Sequence, residues 1–207
     1  MTRELQKAVE HLSRNDPVLT PIIKRAGLAT IQPHQNYYWE LVDSIISQQL
    51  SVKAAASIER RFQELFGQEV PAPEQILTKS VEELRAVGLS NAKANYIRDL
   101  AQHIVDGKLK FDRLDEQTNE EIMAELIDVK GIGEWTAHMF LIFCMGRLDV
   151  LPTGDLGIRN GIRKLYGFEH VPTPQKIIEL AEKNHWHPYE SVASWYIWHS
   201  IDNKPAL

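Results

Sequence analysis

The stretch LIDVKGIGEWTAHMFLIF, Leu126–Phe143, decides how this chain is read. Two glycines, Gly131 and Gly133, stand one residue apart between apolar stretches of helical spacing, one starting near Asn119 and the other running through Phe143. Removing two Cβ atoms opens the backbone to close approach and tolerates positive φ where the chain reverses. The second helix begins directly behind, so unpaired N–H groups and the positive end of its dipole face whatever fills the hairpin. A phosphate oxygen suits that place, and the contact needs no lysine. A plain turn between two helices would use the same glycines, so the surroundings must choose between the readings.

Working outward, apolar residues recur at helical spacing almost everywhere and period-2 runs of β-branched residues are scarce, which predicts an all-α fold of roughly nine or ten helices. NYYWELVDSIISQQLS reads as a core helix carrying Trp39, Leu41, Val42, Ile45, Ile46 and Leu50, with Tyr37, Tyr38 and Trp39 read as core ahead of the competing reading that they face a ligand pocket. The next helix carries Val52, Ala55, Ala56, Phe62, Leu65 and Phe66 and stops at Gly67. Ser80 to Glu83 has the form of a capping box, Gly88 ends that short helix, and Ser90 caps a longer one through Val105. A helix, a glycine hairpin and a helix thus occur twice, at Gly88 and at Gly131.

The bulk properties narrow the function classes. The 207 residues are 43% hydrophobic and 25% charged, ordinary for a globular protein. A formal net charge of −5 excludes a surface that grips nucleic acid by lysine density, so any phosphate contact is local. Lys53, Lys130, Arg159 and Arg163 are the candidates for such a local surface. The single cysteine, Cys144, excludes an internal disulfide. Met1 to Arg14 reads as polar and charged without an apolar core segment, and no uncharged apolar run is long enough to span a bilayer. The expectation is a cytoplasmic, nucleoid-associated protein if the source is bacterial and a nuclear one if it is eukaryotic. His185, Trp186 and His187, with Cys144 and His199, have no metal-ligand spacing, so zinc is discounted.

The hairpin segment resembles the helix-hairpin-helix of the HhH-GPD DNA glycosylase superfamily, and LPTGDLGIRNGIRKLYG (Leu151–Gly167) resembles its Gly-Pro-Asp segment. SIISQQLSVKAA, LRAVGLSNAKANYIRDLA and WHPYESVASWYIW follow the order of the 3-methyladenine glycosylase II branch, so the resemblance spans about Trp39 to Ile201. It implies one unit of two helical lobes with an active-site cleft between them, without an N-terminal β domain. One lobe would run from about 39 to 115 with the wedge loop and second hairpin. A segment from about 116 to 170 would hold the main hairpin and the aspartate, the termini packing as the other lobe.

By the same resemblance Asp155 is the catalytic carboxylate, although an aspartate before a helix is by itself an N-cap. A carboxylate beside C1′ stabilises the oxocarbenium-like sugar and orients water. An alkylated purine is already cationic and leaves neutral, so no paired acid is required. Trp135, Met139, Leu156 and Trp198 would line the base pocket, with Met139 and Leu156 standing where a well-known bacterial relative has tyrosines. Trp135 also occupies the position of the Schiff-base lysine in relatives that cut the strand, which implies a monofunctional enzyme. DNA contacts fall on Gln48, Gln49, Gly131, Ile132, Gly133, Thr136, Gly88, Ser90 and Lys93. Gln49 takes the place of an apolar wedge, and Lys130 replaces a proline, loosening the turn while adding a cation. No cofactor is required, and the main-chain carbonyls of Ile127, Val129 and Ile132 would hold a structural Na+ or K+. The expected partner is double-stranded DNA containing damaged bases, the expected state a monomer with no membrane association. The competing readings are a helix-hairpin-helix module that binds DNA without chemistry, and a helical protein-interaction scaffold.

Overall fold

The computed structural model describes residues 1–34, 36–67 and 69–201. Their elements are α1 (Thr2–Asn15), α2 (Thr20–Ala26), α3 (Tyr37–Ser47), α4 (Val52–Leu65), α5 (Pro73–Thr78), α6 (Val81–Ala86) and α7 (Asn91–Val105). After a 3-10 turn at Phe111–Glu116 come α8 (Asn119–Asp128), α9 (Glu134–Met139), a π-helical turn Phe140–Cys144, α10 (Leu156–Tyr166), α11 (Pro174–Lys183) and α12 (Glu190–Ser200). No strand occurs among the described residues, and none of their helices is long and apolar enough to cross a membrane. The helices outnumber the expectation because short pieces such as α2 and α5 are a turn or two long and leave little periodicity to read.

The chain divides into two compact units, one of Gln35–Phe140 and one of Met1–His34 with Leu141–Ala206. This differs from the division near residue 115 suggested by the sequence. The reason is that the main hairpin is bonded to residues of α7 and to the turn after α3, so α8 and α9 belong with α3 to α7.

In the first unit, Leu41, Val42, Ile45 and Ile46 of α3 are fully buried against α4 and α7, which contribute Phe62, Ala94, Ile97, Leu100 and Ala101. Polar caps hold the ends of these helices. Asn36 accepts from Trp39 N at 3.1 Å, and Ser51, Ser80, Ser90 and Thr118 cap α4, α6, α7 and α8. Each contributes about 1 kcal/mol. Leu50 and Val52 are not core: they are 40% and 86% exposed at the turn between α3 and α4. Tyr37, Tyr38 and Trp39, assigned to the core, are partly buried.

Asp43 of α3 is half-buried, and burial first, then Glu59 and Glu40, push its carboxyl up to about 6. A folded-state value above the unfolded one, near 3.9, destabilises the fold as the group ionises. The cost is absent below about pH 4, grows from there to about pH 6 and is complete above. Asp43→Asn should therefore raise the melting temperature at pH 7.5 and leave it unchanged at pH 3.5. Equal shifts at both pH values in thermal melts would refute this origin.

In the second unit, Met1 to Arg14 forms most of an amphipathic helix, which the sequence reading did not assign: Leu5, Ala8 and Leu12 of α1 are buried. Asp16 follows, fully buried, with Oδ1 accepting from Val18 N and Leu19 N at 2.9 and 3.0 Å. Its Oδ2 accepts from Tyr166 Oη at 2.6 Å and Trp186 Nε1 at 2.7 Å. This carboxylate is structural: it ties the N-terminal helices to α10 and the segment before α12. Helix α12 is buried all round from Ser191 to Trp198, and it packs on α10 so closely that a Cβ at Gly161 would strike Ile197.

Candidate active site

The hairpin Val129–Gly133 lies in the first unit, and its two glycines serve different ends. Gly131 has φ +89°, and a Cβ there would run into the ring of Tyr96 on α7. Gly133 is extended, at φ −98° and ψ 174°, with nothing within 4 Å of an added Cβ. So positive φ is needed at Gly131 only. Gly133 is the N-cap of α9 and brings no side chain to cap it, so the amide end of the helix stands directly behind the hairpin. Ile132 is buried and its N–H donates to Val129 O at 3.1 Å. Thr136, expected to face DNA, is buried, so its side chain packs inward.

Helix α7 fixes this hairpin. Lys130 N donates to Asp99 Oδ2 at 2.9 Å and its ammonium lies 3.2 Å from Asp99 Oδ1. Burial would raise the Asp99 carboxyl, but these hydrogen bonds, with His103 and the Lys130 charge, hold it below the usual range. The lysine in place of proline thus does not loosen the turn: it supplies an N–H that proline lacks, and Asp99 takes it. The same contact partly neutralises the cation expected to serve phosphate.

The turn after α3 carries Gln48 and Gln49. Gln48 Nε2 donates to Gly131 O at 2.9 Å, joining this turn to the hairpin. Gln49 is exposed at φ +59°, unusual for a residue with a side chain. In the second hairpin, Gly88 has φ +109° and a Cβ there would lie 2.8 Å from a guanidinium nitrogen of Arg61. Ser90 Oγ accepts from Lys93 N at 3.2 Å as the cap of α7. Lys93, expected to face DNA, instead donates to Ile46 O at 2.8 Å and Gln48 O at 2.7 Å.

In the second unit, Asp155 is the N-cap of α10 and is buried. Its Oδ1 accepts from Ile158 N at 2.7 Å and from Trp198 Nε1 at 2.8 Å. Two donors on one oxygen fix the carboxylate plane. Trp198 is buried, its ring 5.8 Å from that of Phe143. It orients the carboxylate, a role that its expected place as a pocket wall did not anticipate. Leu156, the next residue along, is 65% exposed.

Residues 42–185 match the HhH-GPD superfamily of base excision DNA repair proteins. The chain belongs to that superfamily. This HhH-GPD protein is 34% identical over 201 residues to DNA-3-methyladenine glycosylase 1 of Schizosaccharomyces pombe, across 94% of this chain and 86% of that one. A DNA-3-methyladenine glycosidase from Bacillus halodurans has the same fold, with a TM-score of 0.85 and 38% identity over 93% of this chain and 88% of that one. The S. pombe 3-methyladenine DNA glycosylase in complex with abasic DNA matches at a TM-score of 0.79 and 33% identity, over 95% and 97% of the two chains. Within the superfamily the chain falls in the 3-methyladenine glycosylase branch.

Of the HhH-GPD pocket residues expected from the sequence, Trp135 and Met139 sit on α9 of the first unit, and Leu156 and Trp198 belong to the second. Trp135 is 42% exposed and can offer a ring face, whereas Met139 is fully buried and offers no surface to a base. Two residues escaped the sequence reading: Tyr96 and Asp99 of α7, which set the hairpin. Their spacing from Lys93, at every third residue, was the available signal.

Proposed function

We propose that this protein is a monofunctional DNA glycosylase that releases alkylated purines of the 3-methyladenine kind from double-stranded DNA and leaves an intact strand with an abasic site. The observation that carries the reading is the Asp155 carboxylate, held at Oδ1 by Ile158 N and Trp198 Nε1. Held in this way, its charge opposes the positive charge that develops on the sugar as the N-glycosidic bond breaks, and it can orient the attacking water. The cationic purine takes the bonding electrons and departs neutral; water adds at C1′ and gives up one proton to Asp155 or to solvent, leaving a hydroxyl on the sugar.

In this reading the amide end of α9 and the Gly131–Gly133 backbone hold a phosphate. Gln49 fills the space of the extruded nucleotide, and the exposed ring of Trp135 stacks on the base. With tryptophan at the Schiff-base position, no amine there forms an imine with the sugar. The carbonyls of Ile127, Val129 and Ile132 are neutral oxygen donors of the kind that suits Na+ or K+, and among the described residues no group of His, Cys, Asp and Glu could hold another metal. Such an ion would steady the hairpin. The protein acts as a monomer, and it works where the genome lies.

The test is incubation with duplexes carrying assorted alkylated and deaminated bases, with released base identified by mass and strands run before and after alkali. Release of 3-methyladenine and breakage only after alkali is the expected result. Cleavage without alkali, in a nuclease-free preparation, would overturn the monofunctional assignment. Tight binding with no base released would favour the non-catalytic module, a reading already disfavoured by the glycosylase relatives.

A further inference from the structure

Lys93 lies in the first turn of α7, beside the second hairpin, where a cation would be expected to serve phosphate. Its geometry serves something else. Two of its three N–H groups go to main-chain carbonyls, Ile46 O at 2.8 Å and Gln48 O at 2.7 Å. These lie at the C-terminal end of α3, where carbonyls lose their intrahelical donors and a cation meets the negative end of the dipole. No glycine ends this helix. Ser44 O takes Gln48 N, Ser47 O takes Leu50 N, and the carbonyls of Ile46 and Gln48 are taken by Lys93.

Gln48 is thereby pinned twice, through its carbonyl by Lys93 and through its amide to Gly131 O at 2.9 Å. The next residue, Gln49, stands exposed at φ +59°, a conformation that a non-glycine residue keeps only when its surroundings impose it. We propose that Lys93 is a positioning residue that holds the Ser47–Leu50 turn in the shape that presents Gln49, and is not a phosphate contact. Burial also lowers the affinity of Lys93 for its proton, as befits an amine drawn onto carbonyls and away from water. Arg98, one turn and a half further along α7, does the same for Leu77 O and Lys79 O, so the cations of this helix are spent on helix ends.

The inference rests on the glycosylase reading only for the purpose of the turn; the brace itself can be read without activity. Lys93→Met and Lys93→Arg should be compared with the wild type in three measurements. In Lys93→Met, amides of Gln48 to Leu50 should exchange with deuterium about 10-fold faster or more while the middle of α7 stays protected. Its affinity for undamaged duplex should keep the wild-type slope against salt, whereas loss of a phosphate contact would reduce that slope by about 0.9. Single-turnover base release should fall ~10-fold, as misplacement of a distant group does.

An unchanged exchange pattern, or a reduced salt slope restored by Lys93→Arg, would overturn the proposal in favour of a phosphate contact. A wild-type protein that releases no base would sink the glycosylase reading and leave the exchange result to judge the brace. If Lys93→Met does not fold, Lys93→Gln, polar but too short to reach both carbonyls, gives the same comparison.

Discussion

Asp155→Asn should fold, bind DNA and release almost no base. The amide oxygen of asparagine can accept from Ile158 N and Trp198 Nε1 as Oδ1 does now, and asparagine caps a helix about as well as aspartate. Stability therefore stays near the wild-type value. What disappears is the charge facing the developing oxocarbenium ion, and loss of one such preorganised group reduces the single-turnover rate by ~100-fold or more. Affinity for duplex should hold or rise, since a negative charge is gone. Trp198→Phe, which removes the indole donor to Oδ1 and keeps the charge, should lose a smaller factor, on the order of 10. The readouts are free base released, duplex affinity and melting temperature. Normal excision by Asp155→Asn at an unchanged melting temperature would reduce the residue to an N-cap and take the proposed chemistry with it.

How much of this was legible beforehand depended on whether the signal was local. Caps were: the Ser80 box, Ser90 opening a helix that ends at Val105, and the start of α8 at Asn119 all stand where the chain placed them. A cap is a bond between residues three apart, so nearby sequence contains both partners. Helix α1 was missed because three small or medium apolar residues among charges leave a narrow stripe. Leu50 and Val52 were misplaced because apolar residues are inside only as a tendency, and an exposed one is silent in sequence. The carbonyl partners of Lys93 were silent for a similar reason: they lie 47 and 45 residues away, and a lysine does not announce whether it meets a carbonyl or a phosphate. Asp16 and Asp155 make the same point from the other side. Both are buried carboxylates accepting from an indole N–H, yet one takes donors on both oxygens and pins helices, while the other takes Ile158 N and Trp198 Nε1 on the same oxygen. Composition around them does not tell the two apart, whereas the Gly-Pro-Asp resemblance does.

Gly131→Ala should be far more damaging than Gly133→Ala, although a hairpin motif read as sequence treats the two alike. At Gly131 the alanine would have to adopt φ +89° and push its Cβ into Tyr96. The backbone strain costs about 1 kcal/mol and overpacking about 1–3 more, which for a domain of this size lowers the melting temperature by roughly 5–12 °C. Because Gly131 O also receives Gln48 Nε2, the displaced hairpin disturbs the turn at Gln49, and duplex affinity should fall at least ~10-fold. Replacing Tyr96 by leucine in the Gly131→Ala background should recover part of the stability, since the collision is with that ring. At Gly133 the backbone is already extended and the space before it is empty, so alanine meets no clash and loses only the advantage of glycine over alanine as an N-cap, about 1 kcal/mol. Valine at 133, compared with alanine there, is then the probe of contact: both lose the glycine cap, and valine adds methyl groups at the N-terminal end of α9, where a Cβ meets nothing. Weaker DNA binding by Gly133→Val than by Gly133→Ala, at closely similar melting temperatures, is the result expected if a phosphate approaches the backbone there. Wild-type affinity in that variant would mean that the hairpin turns the chain and holds nothing.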